Sequence, residues 1–362
     1  MRRLVVHVGP PKTATTSIQN GLFANGDVLA RYGVYLPRTG RLELAPKSVA
    51  HHHLAWELMG SPRFSGDIGG WDALAAEIAG VDAETVLVSS ELLSPGTLFP
   101  GGIGDALQER LLTFDRAVTV VCAVRDQLSS MNSAYGQEVK LLGPVRDFAE
   151  HTAGALDRGD ADLVCQTSRW YESSSIDLVA VPFPTLVASD PLLALLQAAR
   201  IDVPAGELVT SGEPANITLG PVAVVAFRLL RHYLEGLNPG MTHDDMPVRE
   251  LHRVAARAAR AAGWCEEPFW GWTPELAAEA AARLAESNER FAQAVWGTPW
   301  PLEMPVDRPQ ASVAAPLDLR GRGLPRVQDF ITVMGKQYVG LVNRHDGFMP
   351  PGPARREPTA RR

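Results

Sequence analysis

Short apolar segments that alternate with helical ones constrain the fold of this chain more than any other feature of its sequence. Five segments have the compact apolar composition of strands buried on both faces, and segments with apolar residues at helical spacing lie between them. Such alternation predicts an α/β fold in three layers, a parallel sheet flanked by helices, with ligands at the carboxyl ends of the strands. The predicted strands are Leu4–Val8, Gly33–Leu36, Thr85–Ser89, Ala117–Val124 and Ile176–Val181. The predicted helices among them are Trp71–Ala79, Asp105–Leu112, Gln127–Leu142, Val145–Leu156 and Asp162–Tyr171.

The rest of the chain has a different pattern. Residues 1–210 contain all the predicted strands, and we expect them to form the α/β core. Residues 211–349 are predicted to be mainly helical and to shape part of the binding site. Residues 350–362 are rich in proline and arginine, a composition that predicts a disordered tail. The predicted helices of the second region are Pro221–Glu235, Met246–Gly263 and Thr273–Val295.

The composition of the 362 residues excludes several classes of protein. With 46% hydrophobic residues the chain can bury a sizeable core, and a net charge of −7 argues against a general nucleic-acid binder. No apolar run approaches the roughly 18–20 residues of a membrane-spanning helix, and the N-terminal run is too short for a signal peptide. We therefore expect a cytoplasmic protein with no nucleic-acid or membrane partner. Cys122, Cys165 and Cys265 form no CxxC pair, which predicts reduced, buried thiols rather than disulfides or zinc ligands.

A segment suited to anion binding follows the first predicted strand. Its sequence is Gly9-Pro10-Pro11-Lys12-Thr13-Ala14-Thr15-Thr16-Ser17, and a helix is predicted to begin at the threonines. Backbone N–H groups at a helix N-terminus favour a phosphate, the lysine adds a positive charge, and the hydroxyls can bond the remaining oxygen atoms. The segment lacks the GxxxxGK[ST] pattern of nucleoside-triphosphate loops. An ordinary threonine-rich helix cap is the alternative explanation.

This segment resembles the 5′-phosphosulfate loop of the sulfotransferases that use 3′-phosphoadenosine 5′-phosphosulfate (PAPS). In that family the first strand is followed roughly by Pro-Lys-[Ser/Thr]-Gly-Thr-Thr, which Pro11-Lys12-Thr13-Ala14-Thr15-Thr16 matches except at Ala14. Alanine disfavours the positive φ that glycine adopts readily. Ser17 is similar to the bacterial branch. The resemblance implies a P-loop-like fold and places residues Pro11 through Ser17 against the cofactor.

The resemblance extends to the segment after the fourth predicted strand. In the family an arginine at the end of a strand and a serine eight residues later, on the following helix, bind the 3′-phosphate, and Arg125 and Ser133 match them. A guanidinium offers a fork of donors to a phosphate, and the hydroxyl adds one more. A nucleotide charged at both its 3′ and 5′ positions needs two separate anion sites. Taken alone, Arg125 could equally be a surface residue or an ion-pair partner.

The implied activity is transfer of the sulfuryl group of PAPS to a hydroxyl or amine of a small-molecule acceptor, by in-line displacement that leaves 3′,5′-ADP. Lys12 would stabilise the leaving phosphate, and no metal is required. A small acceptor suits secondary metabolism; the acceptor's identity and a homodimeric state stay open. A kinase that uses ATP is one alternative, which the missing GxxxxGK pattern and the Arg125/Ser133 pair disfavour. A nucleotide-binding homologue without turnover is the other.

The reaction also needs a base for the acceptor's proton, and two candidates stand out. Glu91 follows the strand Thr85–Ser89 and is similar in position to the base of heparan-type sulfotransferases; a helix N-terminal carboxylate is the alternative. The run His51-His52-His53 is the rival, with one ring, represented by His52, expected to face the acceptor and the others to be solvated. Consecutive side chains point in different directions, which disfavours a metal site. Whether Gly335-Lys336 is the remnant of a loop over the 3′-phosphate stays open.

Overall fold

The computed structural model contains one five-stranded sheet among the residues that it describes. Every neighbouring pair of strands is parallel, and the order across the sheet is β2-β3-β1-β4-β5. The described residues are 2–10, 13–41, 49–94, 103–144, 146–209, 217–313 and 323–346. The strands are β1 (Arg3–Val8), β2 (Val34–Tyr35), β3 (Thr85–Ser89), β4 (Ala117–Val124) and β5 (Ile176–Pro182). All five predicted strands are confirmed.

Fourteen helices accompany the sheet in the described part of the chain, and a short 3-10 turn, Glu91–Leu93, follows β3. They are α1 (Thr15–Ala24), α2 (Gly26–Arg31), α3 (His52–Leu58), α4 (Trp71–Ala79), α5 (Gly104–Leu111), α6 (Gln127–Lys140), α7 (Phe148–Asp157), α8 (Leu163–Tyr171), α9 (Phe183–Val187), α10 (Pro191–Ala198), α11 (Pro221–Leu237), α12 (Met246–Ala261), α13 (Pro274–Val295) and α14 (Gly323–Asp346). Each predicted helix is found within three residues of its predicted ends. The sequence analysis missed α14 and several short helices.

Alternate residues of β1 pack into two different cores, one on each face of the sheet. Leu4, Val6 and Val8 belong to a core that includes buried residues of α3, α4, α5 and α8. Val5 belongs to a second core with buried residues of α1, α2, α9 and α10. Because successive side chains of a strand point to opposite faces, this sharing shows that helices cover both faces. The predicted three-layer α/β fold is confirmed, as is the mainly helical C-terminal region.

The described residues form two compact units. The first comprises the described residues of Met1–Ala134, Phe148–Asn216 and Trp272–Pro309, and it contains the whole sheet and α13. The second comprises the described residues of Tyr135–Asp147, Ile217–Gly271 and Gln310–Arg362. The functional division at residue 210 stays a prediction, and residues 350–362 lie outside the described part of the chain.

Aromatic rings hold the second unit together. The ring of Phe330 on α14 lies 5.8 Å from that of Phe227 on α11 and 5.3 Å from that of Trp264, measured between centroids. The guanidinium of Arg231 is buried and donates to the carbonyl of Leu142 at 2.7 Å. These contacts join α11 and α14 to the segment that follows α12.

Two further expectations concern burial. None of the helices in the described ranges combines the length and the apolarity that crossing a membrane demands.

All three cysteines are free, but only Cys122 is buried. The prediction of three buried thiols is therefore wrong for Cys165, which is exposed on α8, and for Cys265, which is partly exposed. Cys165 lies on the outward side of an amphipathic helix, so its position follows the helix face and not the apolarity of the thiol.

Candidate functional site

Three strands of the sheet end at one edge, and the candidate residues follow them. In the register of the sheet, His7 of β1 pairs with Ser89 of β3, and Val8 pairs with Cys122 of β4. The loop after β1, the turn after β3 and the residues after β4 therefore emerge together. This is the edge at which parallel sheets bind ligands.

The loop after β1 is described only in part. Pro11 and Lys12, which the sequence analysis assigned to the cofactor, lie outside the described residues. Thr13 is fully buried, and its hydroxyl donates to the carbonyl of Pro10 at 2.7 Å. The Thr13 side chain therefore ties the loop to itself and does not present its hydroxyl to solvent.

Ala14 has a backbone conformation that glycine adopts readily and alanine does not. Its φ of 62° and ψ of 13° lie in the left-handed region, where an alanine costs roughly 1–2 kcal/mol. It is the residue before α1 and makes no side-chain cap for that helix. The loop thus keeps a glycine-like geometry at a position that carries a Cβ, and this strain is typical of ligand-binding segments.

The first turn of α1 supplies the remaining predicted loop residues. Thr15 is buried, Ser17 is half-buried and Thr16 is exposed. The first backbone N–H groups of a helix have no partner within the helix, and the helix dipole makes this end positive. The side chain that reaches solvent here, that of Thr16, is therefore the hydroxyl best placed to meet an anion.

Glu91 and His52, predicted as rival bases, lie next to each other. Oε1 of Glu91 is 3.7 Å from Nε2 of His52, and both side chains are partly exposed. Oε2 of Glu91 accepts a hydrogen bond from Nε2 of Gln19 on α1 at 2.8 Å. Nδ1 of His52 is 2.8 Å from the hydroxyl of Ser90. One carboxylate and one imidazole are thus held together beside the loop.

The other two histidines of the run are engaged elsewhere. Nε2 of His51 lies 3.1 Å from the carbonyl of Pro37, its Nδ1 accepts from the backbone N–H of Ser89, and burial lowers its pKa to about 3. Nδ1 of His53 accepts from the backbone of Ser65, and burial again lowers its pKa. The expectation that these two rings are solvated is wrong, because both side chains are buried, that of His51 just before α3 and that of His53 in its first turn.

Arg125 and Ser133 meet at the end of β4. Nη1 of Arg125 donates to Oγ of Ser133 at 3.2 Å, and its guanidinium lies 5.0 Å from the centre of the Phe183 ring. Burial lowers the pKa of Arg125, and Asp126 opposes that change. The carboxylate of Asp126 accepts from the backbone of Ser129 at 2.8 Å and so caps the start of α6. The spacing of eight residues brings the predicted pair together.

A cavity of about 80 Å³ lies beside this pair, within the first unit. Pro10 of the loop, Ser94 after the 3-10 turn and Arg125 contribute to its wall. Helix α6 contributes Met131 and Ala134, whereas Ser133 lies on another face of the helix and does not line it. The cavity is therefore adjacent to the Arg125–Ser133 pair but separate from the Ser133 face.

Two other sequence hypotheses concern loops and metals. Gly335 and Lys336 lie inside α14 and form no loop, and a Cβ at Gly335 would collide with the ring of Tyr233. The glycine is explained by this close packing. Across the described residues, no group of three or more histidine, cysteine, aspartate or glutamate side chains is placed to hold a metal ion.

The sequence analysis missed three polar residues at this edge. His7, Gln19 and Ser89 are all buried there, and each contacts a residue on another element. A histidine inside the apolar run Leu4–Val8, two residues before the loop, was a signal that could have identified His7. Nothing local marks Gln19, whose partner Glu91 is 72 positions away.

Comparison with solved structures finds a likeness to a sulfotransferase from Alicyclobacillus acidocaldarius. The two chains are 17% identical, and the match covers 66% of this chain and 96% of that chain with a TM-score of 0.36. Neither a family model nor a curated protein matches the sequence. At this identity and TM-score the likeness carries no argument about shared function.

Proposed function

We propose that this protein is a sulfotransferase that moves the sulfuryl group of PAPS to a hydroxyl or amine of a small molecule. The observation that carries the proposal is the arrangement of the carboxyl edge of the sheet. It has a helix-terminal loop after β1, an arginine–serine pair after β4, and a carboxylate beside an imidazole after β3. A donor with anionic groups at both ends and an acceptor that must lose a proton need these three elements.

The chain's own residues suit the two ends of the donor. The N-terminus of α1 and the hydroxyl of Thr16 would bind the 5′-phosphosulfate, together with Lys12, which the sequence places in the same loop. Arg125 and Ser133 would bind the 3′-phosphate through charge-assisted hydrogen bonds. PAPS itself supplies an activated sulfuryl group, whose bond to the phosphate oxygen breaks, with the electron pair staying on that oxygen, as the acceptor attacks sulfur.

Glu91 is the group that we assign as the base. Its Oε1 faces the ring of His52 and its Oε2 is fixed by Gln19, so the carboxylate is held in one orientation. It would take the proton of the acceptor's O–H or N–H while the new bond to sulfur forms. His52, held by Ser90, lines the same position and would orient the acceptor.

A thermal-shift titration with 3′,5′-ADP, 3′-AMP, 5′-AMP and ATP with Mg²⁺ tests the proposal. A ligand that binds only the folded protein stabilises it by about 2.7 kcal/mol at 100 times its Kd. We expect 3′,5′-ADP to raise the melting temperature most, because each monophosphate fills one anion site only. Addition of EDTA should leave the melting temperature measured with 3′,5′-ADP unchanged.

Two outcomes would overturn the proposal. Equal stabilisation by ATP with Mg²⁺ would favour a kinase over a sulfotransferase. Binding of 3′,5′-ADP without sulfation of any member of a broad alcohol, phenol and amine panel would favour a nucleotide-binding protein without turnover.

A further inference from the structure

Two buried histidines contact Ser89, and they differ in how their ring nitrogens are paired. His51 is 3% exposed, and both of its nitrogens have backbone partners. His7 is 1% exposed, and its Nδ1 lies 2.8 Å from Oγ of Ser89. Among the described residues, its Nε2 is buried and has no hydrogen-bond partner. An unpaired buried polar atom costs roughly 1–3 kcal/mol, so this nitrogen needs an explanation that His51 does not.

The unpaired nitrogen faces the base of the loop. Side chains along β1 point alternately to the two faces of the sheet. His7 therefore lies on the same face as Val5, and α1 covers that face. A Cβ placed on Gly9 would lie 3.6 Å from Nε2 of His7, 2.9 Å from Oγ1 of Thr13 and 2.8 Å from Cγ2 of Thr15. Nε2 and these loop side chains therefore converge around the start of the loop.

The ring is neutral at physiological pH. Burial lowers the pKa of His7 to about 4, and the nearby charge of Glu91 opposes this only in part. A neutral imidazole carries one N–H, and the hydrogen bond at one nitrogen decides which nitrogen holds it. If the Ser89 hydroxyl donates to Nδ1, the proton is on Nε2, which is then a donor directed at the loop.

We propose that His7 is a further ligand-binding residue, whose Nε2–H donates a hydrogen bond to an oxygen of the phosphate or sulfuryl group held by the loop after β1. The identity of that group rests on the proposed function. The His7 N–H would add to the donors of the loop backbone and of Lys12. Because the ring stays neutral between pH 5 and pH 9, this hydrogen bond would not depend on pH in that range. Ser89 acts as the positioning residue that fixes the tautomer.

Nuclear magnetic resonance of protein with ¹⁵N-labelled histidine tests the proposal on the wild-type chain. We expect 3′,5′-ADP to shift the Nε2 signal of His7, and 3′-AMP, which reaches only the Arg125–Ser133 pair, to leave it in place. His51 is the internal control, and its signals should not move. Binding of 3′,5′-ADP with an unchanged His7 signal would overturn this inference alone. Absence of any 3′,5′-ADP binding would overturn the proposed function and the inference with it.

The variant His7→Phe gives a second measurement. Loss of one hydrogen bond to a charged group should weaken 3′,5′-ADP binding roughly 10- to 100-fold, while 3′-AMP binding stays within twofold. Calorimetry measures both affinities, and circular dichroism reports whether the variant is folded. Equal weakening of both ligands would indicate a structural role and contradict the proposal. If the variant does not fold, the nuclear magnetic resonance experiment on the labelled wild-type protein tests the proposal by itself.

Discussion

The half of the candidate site around β1 and β3 is held by contacts between residues far apart in the sequence, whereas the half at β4 is held by a local pair. Gln19 and Glu91 are 72 positions apart, and His7 and Ser89 are 82 apart, yet each pair is in hydrogen-bond contact. Arg125 and Ser133 are eight positions apart. The difference indicates that the first half is fixed by the fold as a whole and the second by one strand and its following helix.

The two halves also differ in the chemistry that they offer. The β1–β3 half holds the carboxylate and imidazole that can move a proton, and the β4 half holds a cation that can only bind. We therefore expect substitution of the groups proposed to move a proton, Glu91 and His52, to change turnover, and substitution of Arg125 to change affinity. Residues at the amino ends of the same strands provide matched controls.

The largest effect is expected for Glu91→Gln. The amide keeps the shape and an acceptor oxygen but is not basic, so kcat should fall by roughly 10²- to 10⁴-fold while 3′,5′-ADP affinity is unchanged. Glu84→Gln, an exposed carboxylate just before β3, is the control and should behave as wild type. Steady-state kinetics with the acceptor found in the panel and calorimetry provide the two readouts. A near-normal kcat in Glu91→Gln, together with a large loss of kcat in His52→Ala, would show that the histidine and not the glutamate is the base.

Arg125→Ala should have the next largest effect, and on affinity. Each of its charge-assisted bonds contributes roughly 1.5–3 kcal/mol, so 3′,5′-ADP should bind about 10- to 150-fold more weakly for each bond lost, with kcat at saturation nearly unchanged. Arg116→Ala, at the amino end of β4, removes a partly buried arginine that donates to the carbonyl of Ala83. We expect that control to lose stability but to keep its affinity for 3′,5′-ADP. A fall in kcat without a loss of affinity in Arg125→Ala would break the division between the two halves.

The histidines of the first half should make the protein acid-sensitive. Burial lowers the folded-state pKa of His7 to about 4 and that of His51 to about 3, whereas an unfolded histidine has its usual value near 6.5. Between these values the unfolded chain binds more protons, so stability is lost as pH falls from about 6.5 toward 4. The slope is about 1.4 kcal/mol per pH unit for each histidine.

Urea unfolding at pH 7.5, 6.0 and 5.0 measures that dependence. Carboxylates also protonate in acid, so the comparison is with His7→Phe, which should lose one histidine's share of the slope. Identical slopes in the two proteins would show that His7 is not buried in its neutral form.

The smallest effect is expected for Ala14→Gly. Relief of the left-handed strain should stabilise the protein by about 0.5–1 kcal/mol, after the greater freedom of glycine in the unfolded chain is subtracted. Arg200, with a φ of 54°, is the matched position outside the site, and Arg200→Gly should give a similar gain. Thermal unfolding measures both variants. No gain at Ala14 beside a clear gain at Arg200 would indicate that the loop, unlike the turn at Arg200, relaxes its backbone without cost.

The sheet could be predicted from the sequence because its strands are continuous apolar runs. Thr85–Ser89 and Ala117–Val124 were predicted with the bounds that the structure has. Helix α14 was missed although Val327, Phe330 and Met334 recur at helical spacing, because two glycines interrupt the pattern. Glycine lowers helix propensity, but packing of the helix overrides that preference.

The candidate site was predictable only where its chemistry is local. Arg125 and Ser133 were found because a strand end and the helix after it fix their separation. The pairing of His52 with Glu91 could not be derived, because it depends on where α3 places its first turn against the end of β3. Consecutive histidines look equivalent in sequence, and only the helix decides which ring faces outward.

Two successive turns of α1 take part in the candidate site. The first turn follows directly on the loop, and Gln19, one turn later, donates a hydrogen bond to Glu91. The loop therefore cannot be moved to another protein by itself without loss of the contact to Glu91. A graft of residues 9–17 onto another α/β scaffold would transfer the loop but not the hydrogen bond by which Gln19 holds Glu91, the proposed base. To keep this contact, a graft must carry the end of β3 with Glu91 together with the loop and the first two turns of α1.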